Sequence, residues 1–407
     1  MFMQFLNQYK GLPGQVYIIL LARIISAMGM FVYPFLTLFL STRMEFSEVR
    51  IGKFMLIVAL TYIPAAMIGG KIADRFNRRI TYLTAMILAD CALLTAGFLY
   101  QSILVVYFLL ISFFFMNMSM PVLAAMMMDL TSPTNRQESF SLVYLGVNIG
   151  GAVGPMAAGF LFENHTPWIF WGQGILSLLA LCLIALFVKD TLPDQTAYHR
   201  IKMDETRFLE AARNESLLVI LAKSPILIAF AICASALSFS YAQVSFMLPL
   251  QMKDLFGIAA GAKYFGFLCS LNCIVVVLIT PFLVLLTKKN KPLTNLAISG
   301  FLYMIGFGLY GVSDQLVLFY LFTVIWTTGE IISATNTGVY IANNSPISHR
   351  ARFQSIFDII QGTGRAIGPL KMGYYLVDHS INQAWALIAL ICLTASISLI
   401  VLRKIEQ

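Results

Sequence analysis

Runs of about 20 apolar residues recur along this chain from end to end, each long enough to cross a hydrocarbon core of about 30 Å as a helix. We place them at roughly 16–40, 51–73, 80–101, 103–128, 139–163, 168–188, 225–250, 262–286, 293–313, 315–342, 352–376 and 383–402. Such a run cannot leave its backbone polar groups unpaired in lipid, so helices satisfying their own N–H and C=O groups are expected. The expectation is an all-α membrane protein with twelve transmembrane helices. Composition agrees: 59% of the 407 residues are hydrophobic and 11% are charged, whereas soluble domains carry about 25% charged residues. The first run is long enough for a span and has no small-residue cleavage site, so a cleaved signal is not expected.

The net charge of +8 would suggest nucleic acid in a soluble domain. Here most cations stand in short connections, where topology explains them, and no nucleic-acid role is expected. One side collects Lys10, Arg75, Arg78, Arg79, Arg136, Lys288, Lys289, Lys291, Arg350, Arg352, Arg403 and Lys404. The other has Arg43, Arg50, Lys53, Lys253 and Lys263. Both termini are therefore expected in the cytoplasm.

The longest connection, 189–224, is dense in charge and divides the spans six and six. The expected organisation is a six-helix bundle over 1–188, a cytoplasmic linker over 189–224, and a second bundle over 225–407. Phe208, Leu209, Ala211 and Ala212 alternate with charges in the linker and suit a short surface helix. The halves also repeat each other. Arg136 followed by Gly150, Gly154, Pro155 and Gly159 is answered at the same spacing by Arg350 followed by Gly364, Gly368, Pro369 and Gly373. Duplication of a six-helix unit accounts for this, a recurrent design among transporters.

Between the second and third runs stands Gly70-x-x-x-Asp74-Arg75-x-x-Arg78-Arg79. This resembles the signature loop of the major facilitator superfamily, and span count, linker position and duplication extend the resemblance to the whole chain. It implies two pseudo-symmetric six-helix bundles working by alternating access. The family pattern usually has glycine where this chain has Asn77, a residue that also tolerates left-handed backbone. The resemblance further implies a cytoplasmic gate. Asp74 would engage the start of the eleventh span between Arg352 and Asp358, at a helix N-terminus that favours negative charge. Arg75 would meet Asp129, and Asp358 would face Arg78 or Arg79.

Gly150, Gly154, Pro155 and Gly159 put small residues and a kink on one stripe of the fifth span, allowing another helix to approach closely. They resemble the fifth-helix motif of the superfamily's twelve-helix drug:proton antiporters, although Ala158 stands where glycine is common. Gly29-x-x-x-x-Pro34 in the first span is a lesser match. The arginine many of those exporters carry within the fourth helix is absent, since 103–128 has no basic residue.

Ionisable groups within spans are costly in lipid and ordinarily face a cavity or a partner. Glu330 and Arg365 fall near the middle of the tenth and eleventh spans, at depths set by about 1.5 Å per residue. They are expected to pair, with Glu330 as the proton site and Arg365 holding the charge when the proton leaves. Arg23 and Asp90 form a looser candidate pair. The fourth span is rich in Met and Phe, suiting an adaptable apolar cavity. Phe115, Asn117 and Met120 are expected to line it, with Tyr33, Tyr241, Gln243, Trp326 and Asn336.

The six cysteines lie in apolar runs and read as small buried hydrophobes, and no metal-binding pattern is present. The sequence has no His-Glu-x-x-His, phosphate-cradling loop or Gly-x-Ser-x-Gly, so no enzyme and no ATP-driven pump is expected. The expected function is proton-coupled export of amphipathic or hydrophobic small molecules, a multidrug-type efflux, by a monomer in the bacterial inner membrane. It needs no cofactor besides the proton gradient. A lipid flippase and a nutrient importer of the same fold are the alternatives, ahead of a receptor or scaffold, for which the short connections leave little room.

Overall fold

The computed structural model describes residues 9–132, 135–191, 225–344 and 350–406. The expected surface helix around Phe208 and the side chain of Arg352 lie outside the described residues. Fourteen helices make up the described chain, and among the described residues there is no strand. They are α1 Gly14–Met28, α2 Val32–Thr42, α3 Glu48–Arg75, α4 Arg78–Phe98, α5 Leu104–Leu130, α6 Arg136–Gly151 and α7 Gly154–Leu161. They continue as α8 Pro167–Phe187, α9 Pro225–Tyr241, α10 Gln243–Thr287, α11 Pro292–Tyr310, α12 Leu316–Asn344, α13 Arg350–Asp378 and α14 Ile381–Ile405.

Ten segments among the described residues are long and apolar enough to cross a membrane. Two features separate this number from the expected twelve. The segment Pro225–Thr287, 63 residues long, holds two of the expected spans and turns at Gly257, whose φ of 77° a side chain would disfavour. The helix α13 carries Asp358, Arg365 and Lys371 and is not among the ten.

Several expected spans are interrupted. The first breaks at Gly29–Phe31 between α1 and α2, the fifth at Ala152–Val153 between α6 and α7, and the seventh at Ala242 between α9 and α10. The break in the first span is stabilised from another helix: Gln173 on α8 accepts from the backbone N–H groups of Phe31 (3.1 Å) and Val32 (2.9 Å). Those donors open α2 and have no partner one turn back, so a buried amide oxygen supplies it.

The described chain forms two compact units. Unit 1 comprises Met1–Ser47, Phe54–Pro193 and Pro249–Val277; unit 2 comprises Glu48–Lys53, Asp194–Leu248 and Leu278–Gln407. Grouping by contact thus departs from the expected halves at two places, 249–277 and 48–53. Small residues explain both. In unit 1 a Cβ built on Gly159 would stand 2.7 Å from the Ala262 carbonyl oxygen, while Phe35 meets Phe265 edge-on at 5.3 Å. In unit 2 a Cβ on Gly52 would stand 2.7 Å from the Pro369 carbonyl oxygen. Backbones that approach this closely gain dispersion contacts along the whole crossing.

The core of unit 1 gathers Val16, Ile19, Tyr82, Met86, Val122, Met126, Met127 and Ile184 from α1, α4, α5 and α8. Much of the methionine in the fourth span is therefore packing: Met126 and Met127 are buried, whereas Met120 and Met128 are exposed. The core of unit 2 includes an aromatic stack in which Trp326 faces Phe307 at 5.5 Å and Phe307 faces Trp385 at 5.9 Å.

Candidate functional site

A polar cavity lies in unit 2. It has a volume of about 440 Å³ and is walled by α9, α11, α12 and α13. Glu330 on α12 is half-buried and Arg365 on α13 is exposed, each at the cavity wall. Tyr241, the last residue of α9, joins them. Its hydroxyl donates to Glu330 Oε1 at 2.8 Å, and its ring lies 5.5 Å from Arg365 Cζ in a cation–π contact. The helix stops at Tyr241 because Ala242 forms the break, which leaves the ring at the cavity wall. Ser238, Ser333, Thr337 and Gln361 add hydroxyl and amide groups, and Tyr303 adds a second ring. A carboxyl group, a guanidinium and a phenol thus share one chamber, a setting in which a proton can be exchanged and a polar group gripped.

The remaining cavity residues expected in unit 2 have other places. Trp326 is 1% exposed, donates from Nε1 to the Tyr310 hydroxyl at 2.8 Å, and backs Tyr241 at 5.9 Å. It is support for the cavity wall, not its surface, because the aromatic stack seals it. Asn336 is buried and accepts from Asn295 Nδ2 at 2.8 Å, tying α11 to α12. Gln243 is fully buried and returns its amide to Phe239 O at 2.9 Å across the helix break. In unit 1, Tyr33 is exposed and meets the edge of Phe113 at 6.2 Å; Phe115 is half-buried, Met120 is exposed, and Asn117 reaches Thr61 at 3.5 Å. The signal for the lining residues that sequence reasoning missed, Ser238, Tyr303, Ser333, Thr337 and Gln361, was their polarity inside apolar runs. It is weak one residue at a time.

At the loop between α3 and α4 the arginines divide their work differently from expectation. Asp129 pairs with Arg78, not Arg75, and also accepts from Thr191 Oγ1 at 3.0 Å. Arg75 ends α3 and is exposed, whereas Arg78 opens α4, which packs along α5. Arg78 stands 3.8 Å from Asp74, whose side chain is 73% exposed. Arg79 donates to the Ala185 carbonyl near the end of α8. Asp358 is exposed. Arg136 likewise donates to the carbonyls of Met128 (3.2 Å) and Thr131 (3.3 Å) at the end of α5. A cation at a helix C-terminus satisfies orphan carbonyls and opposes the helix dipole.

Asn77 does not use the left-handed region. Its φ is −57°, and its Oδ1 accepts from Ile80 N at 2.8 Å, so it caps the start of α4. The close approach in this loop belongs to Gly69, where a Cβ would collide with the Met118 carbonyl; Gly70 has open space. On the fifth span, a Cβ on Gly150 would collide with the Ile24 carbonyl, and one on Gly154 would stand 2.9 Å from the Ala27 carbonyl. The Pro155 carbonyl is in turn what a Cβ on Gly266 would strike. The stripe packs α6 and α7 against α1 and α10.

Asp90 on α4 is 3% exposed and faces Ser177 on α8; Arg23 on α1 is half-buried, and both groups lie within electrostatic reach of the Tyr82 hydroxyl.

The profile of the Major Facilitator Superfamily matches residues 19–369, and the chain belongs to that family. It is therefore a multi-pass membrane transporter. Among curated relatives, it is 26% identical to the uncharacterized MFS-type transporter YhjO of Bacillus subtilis, over 92% of this chain and 89% of that one. It is 21% identical to a Na(+), Li(+), K(+)/H(+) antiporter of Planococcus maritimus, over 84% of each chain. It is 22% identical to the multidrug resistance protein MdtH of Escherichia coli O157:H7, over 92% and 90%. The solved structure of the nucleoside transporter NupG superposes with a TM-score of 0.73 at 14% identity, covering 96% of this chain and 99% of that one, which supports the fold.

Proposed function

We propose that this chain is a proton-coupled exporter of amphipathic small molecules, working by alternating access between two six-helix bundles. It would act as a monomer in the bacterial inner membrane with both termini in the cytoplasm, and the proton gradient would be its energy source. The observation that carries the reading is Tyr241 set between Glu330 and Arg365 in one cavity. Glu330 as a carboxylate accepts the Tyr241 hydroxyl and opposes the Arg365 charge. A proton arriving from outside removes that charge, releases Arg365 from its electrostatic partner and changes what the cavity holds best. The relatives named as an antiporter and a multidrug resistance protein support exchange and export. The phenol rings of Tyr241 and Tyr303 suit an apolar body, and the hydroxyls and charges suit a polar head.

Asp74 serves the cytoplasmic gate in this reading. Its exposure and its loose 3.8 Å contact with Arg78 support a carboxylate that can change partners during the cycle. Asp74→Asn is expected to slow turnover and leave substrate binding mostly intact; loss of binding would remove it from the gate.

The polar lining of Ser238, Ser333, Thr337 and Gln361 favours a second reading, uptake of a polar solute with protons. Energised inverted vesicles separate the two. A panel of amphipathic cations and neutral dyes, added outside, is expected to raise lumenal pH through Glu330-dependent exchange. A response to sugars and nucleosides alone would support uptake instead.

A further inference from the structure

Asp90 has surroundings unlike those of Glu330. It is 3% exposed, and its Oδ2 has no hydrogen-bond partner among the described residues. The hydroxyl facing it, Ser177 Oγ, is on a residue 5% exposed and also has no partner among them. Two polar side chains, each more than nine-tenths buried, thus face one another where α4 and α8 pack together.

The packed elements offer no cation close by. Between Pro167 and Phe187, α8 carries no acidic or basic residue and has Cys182 as its titratable group. Between Leu104 and Leu130, α5 has Asp129 at its cytoplasmic end and the exposed Tyr107. On α4 itself Tyr82 is buried two turns away, and Arg23 approaches from α1 within reach of Tyr82. A carboxylate at Asp90 would therefore be a buried charge with an unused acceptor, a costly arrangement. A carboxylic acid has a proton to donate and a hydroxyl oxygen facing it to receive it.

We propose that Asp90 is a second proton-binding site, in unit 1, and that it holds its proton at neutral pH independently of Glu330. Release requires water to enter between α4 and α8. The acid O–H then breaks to give a carboxylate and a hydronium ion, and the carboxylate left behind has the entering water and the Ser177 hydroxyl as its donors. The inference does not rest on Glu330 being the coupling site, because it follows from the burial of Asp90 alone.

Infrared spectroscopy of the full-length protein in lipid nanodiscs tests this without any transported molecule. Wild type at neutral pH is expected to show the C=O stretch of a protonated carboxyl, shifted in D2O and shifted again when aspartate is labelled with 13C at the side-chain carboxyl. Asp90→Asn should remove the band and Glu330→Gln should leave it. If Asp90→Asn does not fold, the isotope shift in wild type, insensitive to labelling of glutamate, still assigns the band to aspartate. No aspartate band at neutral pH would overturn the proposal. Loss of the band when sodium or lithium chloride replaces choline chloride would overturn it in favour of an alkali-cation site. A band that survives Asp90→Asn would also overturn it.

Discussion

The two units differ in how several of their polar side chains are used. In unit 1 the long polar side chains mostly serve the backbone: Gln173 caps the opening of α2, Arg79 the end of α8 and Arg136 the end of α5. Arg43 likewise donates to the carbonyls of Phe162 (3.2 Å) and Glu163 (2.6 Å) after α7. In unit 2 the corresponding chemistry is side chain against side chain, with Glu330, Tyr241 and Arg365 around a cavity. A side chain that closes off a backbone group fixes a helix end and has little left for a ligand. One that answers another side chain in a wet cavity keeps two alternatives, a proton or a solute. Under the proposed function unit 1 would act as scaffold and unit 2 would hold the binding site, with Asp90 the exception inside the scaffold.

The sharpest way to break this contrast is to remove the acid function at Glu330 and at Asp90 in turn. Glu330→Gln is expected to abolish pH-gradient-driven flux of any accepted dye in proteoliposomes. Full gradient-driven flux in that variant would end its assignment as the coupling site. Asp90→Asn is expected to retain gradient-driven flux with a lower proton-to-solute ratio, read from the reversal potential. Equal loss in both variants would erase the distinction between the units.

The scaffold side of the contrast predicts stability effects. Gln173→Leu leaves the Val32 donor without its acceptor, costing about 1–3 kcal/mol for the buried group so stranded, while Phe31 N–H keeps the Gly29 carbonyl at 2.7 Å. Gly150→Leu forces a side chain against the Ile24 carbonyl, and overpacking of that kind costs about 1–3 kcal/mol. Both should appear as lower melting temperatures in detergent, whereas Gly70→Ala, inside α3 with nothing near its added methyl, should raise the melting temperature slightly, by about 0.4–1 kcal/mol of helix propensity and lost unfolded-state freedom. An intermediate effect is expected at Tyr241→Phe, which keeps the ring under Arg365 and deletes the bond to Glu330. It should shift the pH dependence of flux with little change in melting temperature; a large drop in stability would make Tyr241 part of the core instead.

How much of this was legible in the sequence follows from what each signal encodes. Apolar run length reports membrane burial directly, so the all-α membrane class was legible, whereas the breaks within the first, fifth and seventh spans were not. The close helix crossings were visible too, because Gly150, Gly154 and Gly159 share a stripe. Partner choice was less visible. The loop sequence offers Arg75, Arg78 and Arg79 to Asp129 alike, and the winner is decided by which of them lies on the face of α4 turned toward α5. Trp326 and Asn336 sit on the same helix as Glu330, but the side of α12 that faces the cavity depends on packing against α11, which periodicity in a uniformly apolar run does not report. Gln173 was missed for a related reason: a helix broken in its middle by Gly29 leaves donors whose acceptor lies 142 residues away in the chain.

The smallest expected effect tests the scaffold idea at its most exposed point. Glycine in place of Asn77 would match the family pattern and, in a left-handed turn, would be stabilising or neutral. The structure gives Asn77 a different task, since its φ of −57° asks nothing of glycine and its Oδ1 receives the Ile80 N–H. Replacing an N-cap asparagine with glycine costs only a few tenths of a kcal/mol, about what measurement can resolve, whereas alanine costs about 1 kcal/mol because it neither accepts the bond nor frees the backbone. Aspartate should equal or exceed asparagine, as its charge also meets the positive end of α4. Melting temperatures are therefore expected to be highest for Asn77→Asp or equal to wild type there, lower for Asn77→Gly and lowest for Asn77→Ala. A glycine variant more stable than wild type would show that the turn is strained toward positive φ, and that in this loop backbone freedom, and not side-chain capping, holds unit 1 together.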